Sequence, residues 1–467
     1  MKLAKVQITN FRCFESLEIP LQHDVNVFVG INGAGKTAIL DAIAIALYDI
    51  VAANGSGGKR QREYQNVTLV PEDIHIVPGT KDPSVGRKDF VQIEAQAADF
   101  YEVAGFPGQT DTGAKNAIEW TDHIRYAPPK GFLYDQRKAD RLAPIYNYFQ
   151  TLWQELRKSD EKALIPFPVV AYYRADRRLH EMPDVGEIFS LRIERAGAYE
   201  MALNAGANYK AMCQWFYLRE NSELREKLQI RNDRSFEFPD LRAIRNAVIR
   251  SLEGVEKVFF RDNPPELMIE FQFPQGTPRT LSVQQLSDGY RNLLALVLDF
   301  ARRLAQAHPN WENPLEAPGV LLIDEIELHL HPGWQQRVIP DLRTVFPNTQ
   351  LIVATHSPQV LTTVRREQVR FLTSEHTLEP LPYEVGTYGS ESVHLLEAVF
   401  GVHSRPRTVD MVDKLHLYLQ MIEKQQAQNE AAVSLRAELE EAMGSSDPAL
   451  RNADMRIRQL EILGKRK

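Results

Sequence analysis

The feature that most constrains this chain is a glycine-rich segment, Gly30-Ile-Asn-Gly-Ala-Gly-Lys-Thr37, placed between a β-prone run at 25–29 and a helix-prone run at 38–48. It fits the phosphate-binding pattern G-x-x-x-x-G-K-[ST]. Glycines let such a loop turn tightly, so that its backbone N–H groups point at phosphates beside the positive end of the next helix. The segment therefore predicts an α/β fold that binds a nucleotide.

The loop supplies the candidate cofactor-binding residues Asn32, Gly33, Ala34, Gly35, Lys36 and Thr37. Lys36 would reach the β- and γ-phosphates of ATP as a point charge, and the Thr37 hydroxyl would coordinate Mg²⁺. A chance glycine turn before a helix is the alternative interpretation. The strand before the loop and the helix after it favour the phosphate loop.

Two carboxylates follow a second predicted strand, in the run Val320-Leu-Leu-Ile-Asp324-Glu325. Ligands of open α/β sheets bind at the carboxyl ends of the strands, where these residues would lie. We expect Asp324 to hold Mg²⁺ through water, and Glu325 to act as the general base that orients and polarises the attacking water. A strand that leaves the core through two solvated acidic residues is the alternative.

A third motif, Leu286-Ser-Asp-Gly-Tyr290, immediately precedes a predicted helix. The Ser287 hydroxyl and the Gly289 N–H at a helix start form an anion site suited to a γ-phosphate. One nucleotide cannot contact two helix starts of the same sheet, so Ser287 would act on the nucleotide of a second copy. An ordinary serine N-cap is the alternative.

A histidine follows the predicted strand 351–354, in the run Thr355-His356-Ser357. His356 would donate a hydrogen bond to the γ-phosphate and so detect whether that group is present. Without the three preceding motifs, a structural role would be the better interpretation of a single histidine.

The order of predicted elements divides the chain into four parts. They are the N-terminal half of an ATPase head, an inserted irregular and mainly helical lobe, the C-terminal half of the head, and a helical tail, at 1–50, 51–255, 256–400 and 401–467. In the tail, a continuous helix over Asp410–Met443 is predicted, followed by a second helix that begins near Pro448. The two would form a helical hairpin.

Composition excludes several classes of protein. Only two cysteines, Cys13 and Cys213, are present, so neither a disulfide framework nor a cysteine-rich zinc site is expected. No run approaches the roughly 20 apolar residues of a membrane span, which predicts a cytoplasmic protein without a membrane partner. The net charge of −7 argues against a uniformly basic surface for nucleic acid. Arg174, Arg177 and Arg178 form a local cluster that either faces nucleotide or DNA or is a structural ion-pair cluster.

These motifs, in this order, resemble the ABC ATPase superfamily, in its soluble RecF, SMC and OLD-like branch. The opening Ile8-Thr-Asn-Phe-Arg-Cys-Phe14 is similar to the start of RecF-type heads. Two later runs, Asp324-Glu-Ile-Glu-Leu-His-Leu-His-Pro332 and Ala354-Thr-His-Ser-Pro358, are similar to the OLD-like and defence-associated ATPases. In size and layout the chain most resembles the PtuA-type ATPases of Septu and retron antiphage systems.

The resemblance implies an ABC ATPase head in which Ser287 and Gly289 carry the signature role, with Asp288 where many relatives have glycine. It also implies a glutamine loop that contacts magnesium, to which no residue of this chain is assigned. OLD-family nucleases carry a metal-binding Toprim domain, but no Asp-x-Asp pair follows His356. We therefore expect no nuclease site in this chain, and a separate HNH-type nuclease or other effector as its partner.

The expected function is that of a slow or regulated ATPase, with ATP and Mg²⁺ as ligands, in an antiphage defence complex. Head-to-tail dimerisation on ATP, or a higher assembly, would regulate the partner effector. DNA or a retron RNA–DNA complex is a further candidate ligand. A RecF-like DNA-binding repair ATPase is the alternative, and an ATP-gated scaffold with almost no turnover is the third interpretation.

Overall fold

The computed structural model describes residues 1–54, 68–76, 87–102, 117–126, 132–134, 138–158, 164–175, 194–204, 209–263, 265–272 and 276–464. Arg177 and Arg178 lie outside these residues. Two compact units divide the chain, Met1–Leu395 and Leu396–Lys467. Within the described residues, the first unit contains three β-sheets and the second is helical.

Fourteen β-strands are described in the first unit. They are β1 (Lys2–Phe11), β2 (Phe14–Pro20), β3 (Val25–Gly30), β4 (Phe90–Ala98), β5 (Ile118–Tyr126), β6 (Phe132–Tyr134), β7 (Val169–Tyr173), β8 (Val255–Asp262), β9 (Pro265–Phe271), β10 (Arg279–Ser282), β11 (Gly319–Ile323), β12 (Thr349–Ala354), β13 (Val369–Leu372) and β14 (Leu378–Pro380). The three sheets have the strand orders β2-β1-β4-β5-β6, β10-β9-β8 and β14-β13-β3-β12-β11-β7.

The six-stranded sheet, called the main sheet below, positions the predicted motifs. Strands β13, β3, β12, β11 and β7 are parallel, and β14 pairs with β13 in the opposite direction. Every residue of β3, β7, β11 and β12 is buried, as expected for the continuous apolar strands of a sheet covered on both faces. The carboxyl ends of these four strands lie at the same end of the sheet. The predicted α/β fold with a mixed sheet is confirmed.

The five-stranded antiparallel sheet contains part of the interval 51–255, for which an inserted, irregular and mainly helical lobe is predicted. Strands β4, β5 and β6 come from this interval and extend the β1–β2 hairpin, with Ile8 opposite Leu17 on one side and Ile93 on the other. Strand β7, from the same interval, pairs with β11 in the main sheet. Four strands of the predicted insertion thus belong to the sheets of the head. Sequence pattern did not reveal this pairing, because β1 and β4 are far apart in the chain.

The helices that precede residue 400 are α1 (Lys36–Asn54), α2 (Lys138–Lys158), α3 (Tyr209–Arg225), α4 (Pro239–Ser251), α5 (Asp288–Ala307), α6 (Pro332–Gln335), α7 (Val338–Val345), α8 (Pro358–Leu361) and α9 (Ser392–Ala398). Helix α1 contacts strands of both the five-stranded sheet and the main sheet. It is the one described helix that is long and apolar enough, by length and composition alone, to span a membrane. Its side chains Ile39, Leu40, Ile43 and Leu47 are fully buried, so its apolar composition is that of a core helix.

A buried charge network joins α5 to the main sheet. Asp299 accepts hydrogen bonds from Arg302 Nη2 (2.7 Å), Arg303 Nε (2.9 Å) and the Tyr173 hydroxyl (2.8 Å). Arg303 Nη1 also donates to the carbonyl oxygen of Ala198 (2.8 Å), and the four side chains are all buried. Burial opposes ionisation, yet the charges of Arg303 and Arg302 hold the pKa of Asp299 below its usual value. Helix α5 is thereby fixed to the end of β7.

The second unit contains the helices α10 (Asp410–Glu423), α11 (Glu430–Met443) and α12 (Pro448–Gly464). The prediction of one continuous helix over Asp410–Met443 is wrong, because the chain breaks between α10 and α11. Gln425 adopts a left-handed φ of 60°, and the Asn429 side chain accepts an N-cap hydrogen bond from the Ala431 N–H (3.2 Å). The three helices share a core of Leu415, Tyr418, Ile422, Ala432, Leu439, Leu450 and Ala453.

Candidate active site

The phosphate loop connects the end of β3 to the start of α1. Gly35 has a φ of 110°, and a Cβ at this position would lie 2.7 Å from Phe14 Cζ and 2.8 Å from Cys13 Sγ, so only glycine fits. The turn between β1 and β2 therefore packs directly against the loop. His376, in the turn between β13 and β14, also contacts it, because its Nδ1 lies 2.8 Å from the Ala34 carbonyl oxygen. These contacts fix the path of the loop.

Lys36 begins α1 and is buried. Its Nζ donates hydrogen bonds to the carbonyl oxygens of Gly30 and Ile31, each at 2.9 Å. Burial lowers the pKa of Lys36, and the charges of Asp324 and Glu327 oppose that effect. The ammonium group is therefore held against the loop, where the loop N–H groups would meet a polyphosphate.

The exposed residues at the loop include Asn32, Gly33 and Thr37. Thr37 Oγ1 donates a hydrogen bond to Asp324 Oδ2 (2.8 Å), which joins the loop to the end of β11. The backbone N–H of Asp324 donates to the carbonyl oxygen of Tyr173 (2.8 Å) at the end of β7. A hydroxyl and a carboxylate are the hard oxygen ligands that Mg²⁺ prefers, so these residues fit that metal.

The two carboxylates after β11 differ in their burial and in their backbone conformation. Burial raises the pKa of Asp324, and the charges of Glu325 and Asp41 add to this shift, against the hydrogen bond from Thr37. Glu325 is half-buried and has a left-handed φ of 46°, which is uncommon for a residue with a Cβ. Such backbone strain is found mainly at functional sites, which is consistent with the predicted role of Glu325 as general base.

His356 follows β12, between the ends of β3 and β11. Burial lowers the pKa of its imidazole and Lys36 adds to that effect, whereas Glu327 opposes it. Glu327 accepts hydrogen bonds from the His356 backbone N–H and from the Thr355 hydroxyl, both at 2.6 Å. Glu327 had no predicted role, although it stands in the acidic run after β11. It is the residue that joins the acidic run to the histidine.

The predicted signature turn lies at the start of α5. Ser287 is the N-cap residue, is exposed, and does not cap the helix with its hydroxyl. Gly289 is buried, and a Cβ there would lie 2.5 Å from the His329 carbonyl oxygen. Asp288 forms an ion pair with Arg291. In the described part of one chain, no hydrogen bond joins Ser287 to the phosphate loop, and its contact with a nucleotide stays a prediction.

Arg174, the described member of the predicted arginine cluster, follows β7 and forms an ion pair with Asp41 of α1. Asp41 also accepts hydrogen bonds from Arg12 Nη1 (2.6 Å) and the Tyr172 hydroxyl (2.9 Å). The ion-pair interpretation therefore describes this contact of Arg174. Asp41 had no predicted role; its signal in the sequence is an acidic residue in a mostly apolar helix.

Three neighbouring strand ends bring the predicted residues to one place. Lys36 and Thr37 follow β3, His356 follows β12, and the acidic pair follows β11. The arrangement combines a buried cation for phosphates, oxygen ligands for Mg²⁺ and a carboxylate beside them. It can bind a nucleoside triphosphate and polarise a water molecule.

Comparison with known proteins matches two family models to the chain. A model described as "AAA domain" matches residues 5–250, more than half of the chain. A model described as "AAA domain, putative AbiEii toxin, Type IV TA system" matches residues 185–362.

Three proteins similar in sequence match different fractions of the chain. "Retron Ec83 probable ATPase" of Escherichia coli is 27% identical over 96% of this chain and 85% of that protein. "Retron Vc95 probable ATPase" of Vibrio cholerae serotype O1 biovar El Tor is 24% identical over 85% of this chain and 79% of that protein. "Septu protein PtuA" of Bacillus mycoides (strain KBAB4) is 30% identical over 34% of this chain and 22% of that protein.

Proposed function

Since this chain belongs to the AAA-domain family, in the RecF/SMC/OLD branch of the ABC-type ATPases, we propose that it is the ATP-binding and hydrolysing subunit of an antiphage defence complex. In this proposal, ATP-dependent dimerisation of two heads regulates a partner nuclease or another effector. The observation that carries the proposal is the meeting of Lys36, Thr37 and Asp324 at one end of the main sheet.

Within one chain, the phosphate loop binds the β- and γ-phosphates of ATP through its backbone N–H groups and Lys36. Thr37 and Asp324 would hold Mg²⁺, which would supply positive charge to neutralise the phosphate oxygens. Glu325 accepts a proton from the water that attacks the γ-phosphorus, and the bond to ADP breaks. His356 donates a hydrogen bond to the γ-phosphate and fixes its orientation.

Completion of the site requires a second copy. Ser287 is exposed at the start of a 20-residue helix and does not cap it, so in the described structure its hydroxyl can turn to an anion. Two chains arranged head to tail would place Ser287 and Gly289 of one against the γ-phosphate bound by the other. ATP binding then closes the pair, and hydrolysis opens it.

The proposed partner comes from the resemblance to the ATPases of Septu and retron antiphage systems. Two of the three similar proteins carry the names of retron ATPases and one that of a Septu protein. We extend to this chain a separate HNH-type nuclease or other effector as partner, with DNA or a retron RNA–DNA complex as a further ligand, in the cytoplasm. The nucleotide state would shift that partner between a restrained and an active form.

The test uses Glu325→Gln in the full chain. The base is removed and the loop is intact, so ATP should bind, hydrolysis should fall roughly 100-fold or more, and closed dimers should accumulate. Light scattering after size-exclusion chromatography with Mg-ATP gives the mass, and phosphate release gives the rate. Adding Ser287→Arg should return this variant to monomers, because a bulky cation fills the shared site. Ser222→Arg, at an exposed serine of α3, is the matched control.

Three outcomes would contradict parts of the proposal. Normal turnover in Glu325→Gln would remove Glu325 as the base. Dimers that persist with Ser287→Arg would show that the copies associate through another surface. Steeply salt-dependent DNA binding by the isolated protein, with no capture of a nuclease, would favour a RecF-like repair ATPase instead.

A further inference from the structure

A cluster of two arginines and one carboxylate lies beside the phosphate loop. Asp41, on α1, accepts hydrogen bonds from Arg12 Nη1 (2.6 Å), the Tyr172 hydroxyl (2.9 Å) and Arg174 Nη2. Asp41 is almost fully buried, whereas the two arginine side chains are each 37% exposed. Two guanidinium groups therefore share one buried carboxylate and still reach the surface.

The position of this cluster follows from α1 and β7. Residues four apart on a helix share one face, so Asp41 lies one turn beyond Thr37 on the same side of α1. The Asp324 N–H donates to the carbonyl oxygen of Tyr173, which sets Arg174 level with Asp324 across β7 and β11. Arg174 thus stands at the fourth strand end of the main sheet, next to the three that carry the predicted motifs.

The two arginines differ in how many carboxylates they contact. Arg12 donates to Asp41 and, through Nε, to the buried Asp73 (2.8 Å), so two carboxylates offset its charge. Arg174 contacts Asp41 and the ring of Tyr172, whose centroid lies 5.7 Å from the guanidinium carbon. A guanidinium has five N–H donors, and these described contacts engage only part of them. Of the two, Arg174 is better placed to donate to an anionic ligand.

We propose that Arg174 contacts the terminal phosphate of the nucleotide bound by the same chain and thereby distinguishes a nucleoside triphosphate from a diphosphate. This inference rests on the proposed function, since it requires a nucleotide in the phosphate loop. Asp41 is the positioning residue, because it holds the guanidinium at the end of β7. The planar guanidinium suits a phosphate, since it can donate two parallel charge-assisted hydrogen bonds.

The experiment compares the affinities for two nucleotides. Arg174→Ala and the conservative Arg174→Lys are titrated with Mg-AMP-PNP and with Mg-ADP by isothermal calorimetry. Arg174→Ala should weaken AMP-PNP binding roughly 10- to 100-fold and ADP binding by less than about twofold, because only AMP-PNP has the terminal phosphate. Arg174→Lys keeps the charge without the planar fork and should give an intermediate loss. Arg219→Ala is the matched control, since Arg219 is partly buried and pairs with the buried Asp240 (2.7 Å).

Equal losses for both nucleotides, or no loss for either, would overturn the inference. If Arg174→Ala does not fold, the ratio of the AMP-PNP and ADP affinities of Arg174→Lys tests the inference instead. Lys36→Ala separates the inference from the proposed function. Normal binding of both nucleotides by Lys36→Ala would reject the phosphate loop itself. Loss of binding in Lys36→Ala, together with an unchanged ratio of AMP-PNP to ADP affinity in the Arg174 variants, would reject the Arg174 contact alone.

Discussion

Two aspartates of this protein are buried to a similar depth in opposite electrostatic settings. Asp299 is 0% exposed and accepts hydrogen bonds from two arginines and a tyrosine, and its pKa is lowered. Asp324 is 4% exposed, accepts a hydrogen bond from the neutral Thr37 hydroxyl and lies near the carboxylates of Glu325 and Asp41, and its pKa is raised. The first setting stabilises the ionised form, whereas the second disfavours it.

The difference separates a region that stabilises the fold from the region that we propose to bind ATP and Mg²⁺. A buried ion network whose hydrogen bonds are made holds two elements in one arrangement. Carboxylates gathered beside a hydroxyl repel one another, and a divalent cation among them relieves that repulsion. Substitutions should therefore act in opposite ways: near Asp324 they reduce function without unfolding, and at Asp299 they reduce stability first.

The largest effect is expected at Lys36, in the binding region. Lys36→Ala removes the cation held against the loop and should weaken ATP binding by roughly 100-fold or more, to below detection. The melting temperature should stay within about 3 °C of the parent protein. Titration with a fluorescent ATP analogue and a thermal melt of the same sample measure both quantities. Lys227→Ala, which removes a partly buried lysine paired with Glu223, is the control, and normal ATP affinity in Lys36→Ala would contradict the phosphate loop.

Asp299→Asn should lower the stability of the protein more than its affinity for ATP. It leaves Arg302 and Arg303 as buried charges without their carboxylate, which should lower the free energy of unfolding by about 3–5 kcal/mol. Urea denaturation followed by circular dichroism measures this loss. Glu18→Gln breaks an exposed pair with Lys5 and should change stability by less than about 1 kcal/mol. Unchanged stability with reduced ATP affinity in Asp299→Asn would erase the distinction between the two regions.

The smallest effect is a pH dependence that differs in sign between the two aspartates. The folded pKa of Asp324 lies above the unfolded value of about 3.8, so ionisation of Asp324 weakens stability as the pH rises through that interval. Asp324→Asn should therefore raise the melting temperature of the metal-free protein on the order of 1–3 °C at about pH 7, and by less at about pH 4. Asp299 has a lowered pKa, so its contribution is present above the unfolded value and is lost as the pH falls through the folded one.

Calorimetric melts in EDTA at the two pH values check this prediction. The parent protein and Asp324→Asn are compared at each pH. An equal rise in melting temperature at both pH values would show that the charge of Asp324 does not cause the rise.

The binding motifs could be predicted because each is contained in consecutive residues. Gly30–Thr37 and Asp324–Glu325 each follow a short apolar strand, and such patterns are local. Parallel pairing of β3, β12 and β11 then places them together with His356. The meeting of these residues at neighbouring strand ends could therefore be predicted from the sequence, and their chemical roles stay predictions.

The surrounding contacts could not be predicted, because they join residues far apart in the chain. Asp41 is held in the site by Arg12 and Arg174, and Glu327 is held by Thr355, which directly follows β12. Each of these residues is an ordinary charged residue in its local sequence. Only the packing of α1 and the order of the strands bring them together.

Two features of the fold were missed for different reasons. The strand at 90–98 pairs with β1 and with the strand at 118–126, and pairing between distant strands gives no signal in the local sequence. The break in the tail does have a signal in the local sequence, because Asn429 is a favoured N-cap residue. The high helix propensity of Asp410–Met443 outweighed that single signal.

The contact between Gly289 and the His329 carbonyl oxygen has a mechanical consequence. The helix start that carries Ser287 already rests on the backbone that follows Glu325, without room for a methyl group. Displacement of this start toward His329 would meet the carbonyl oxygen of that residue at once. A push on Ser287 in that direction would therefore reach the segment that follows Glu325.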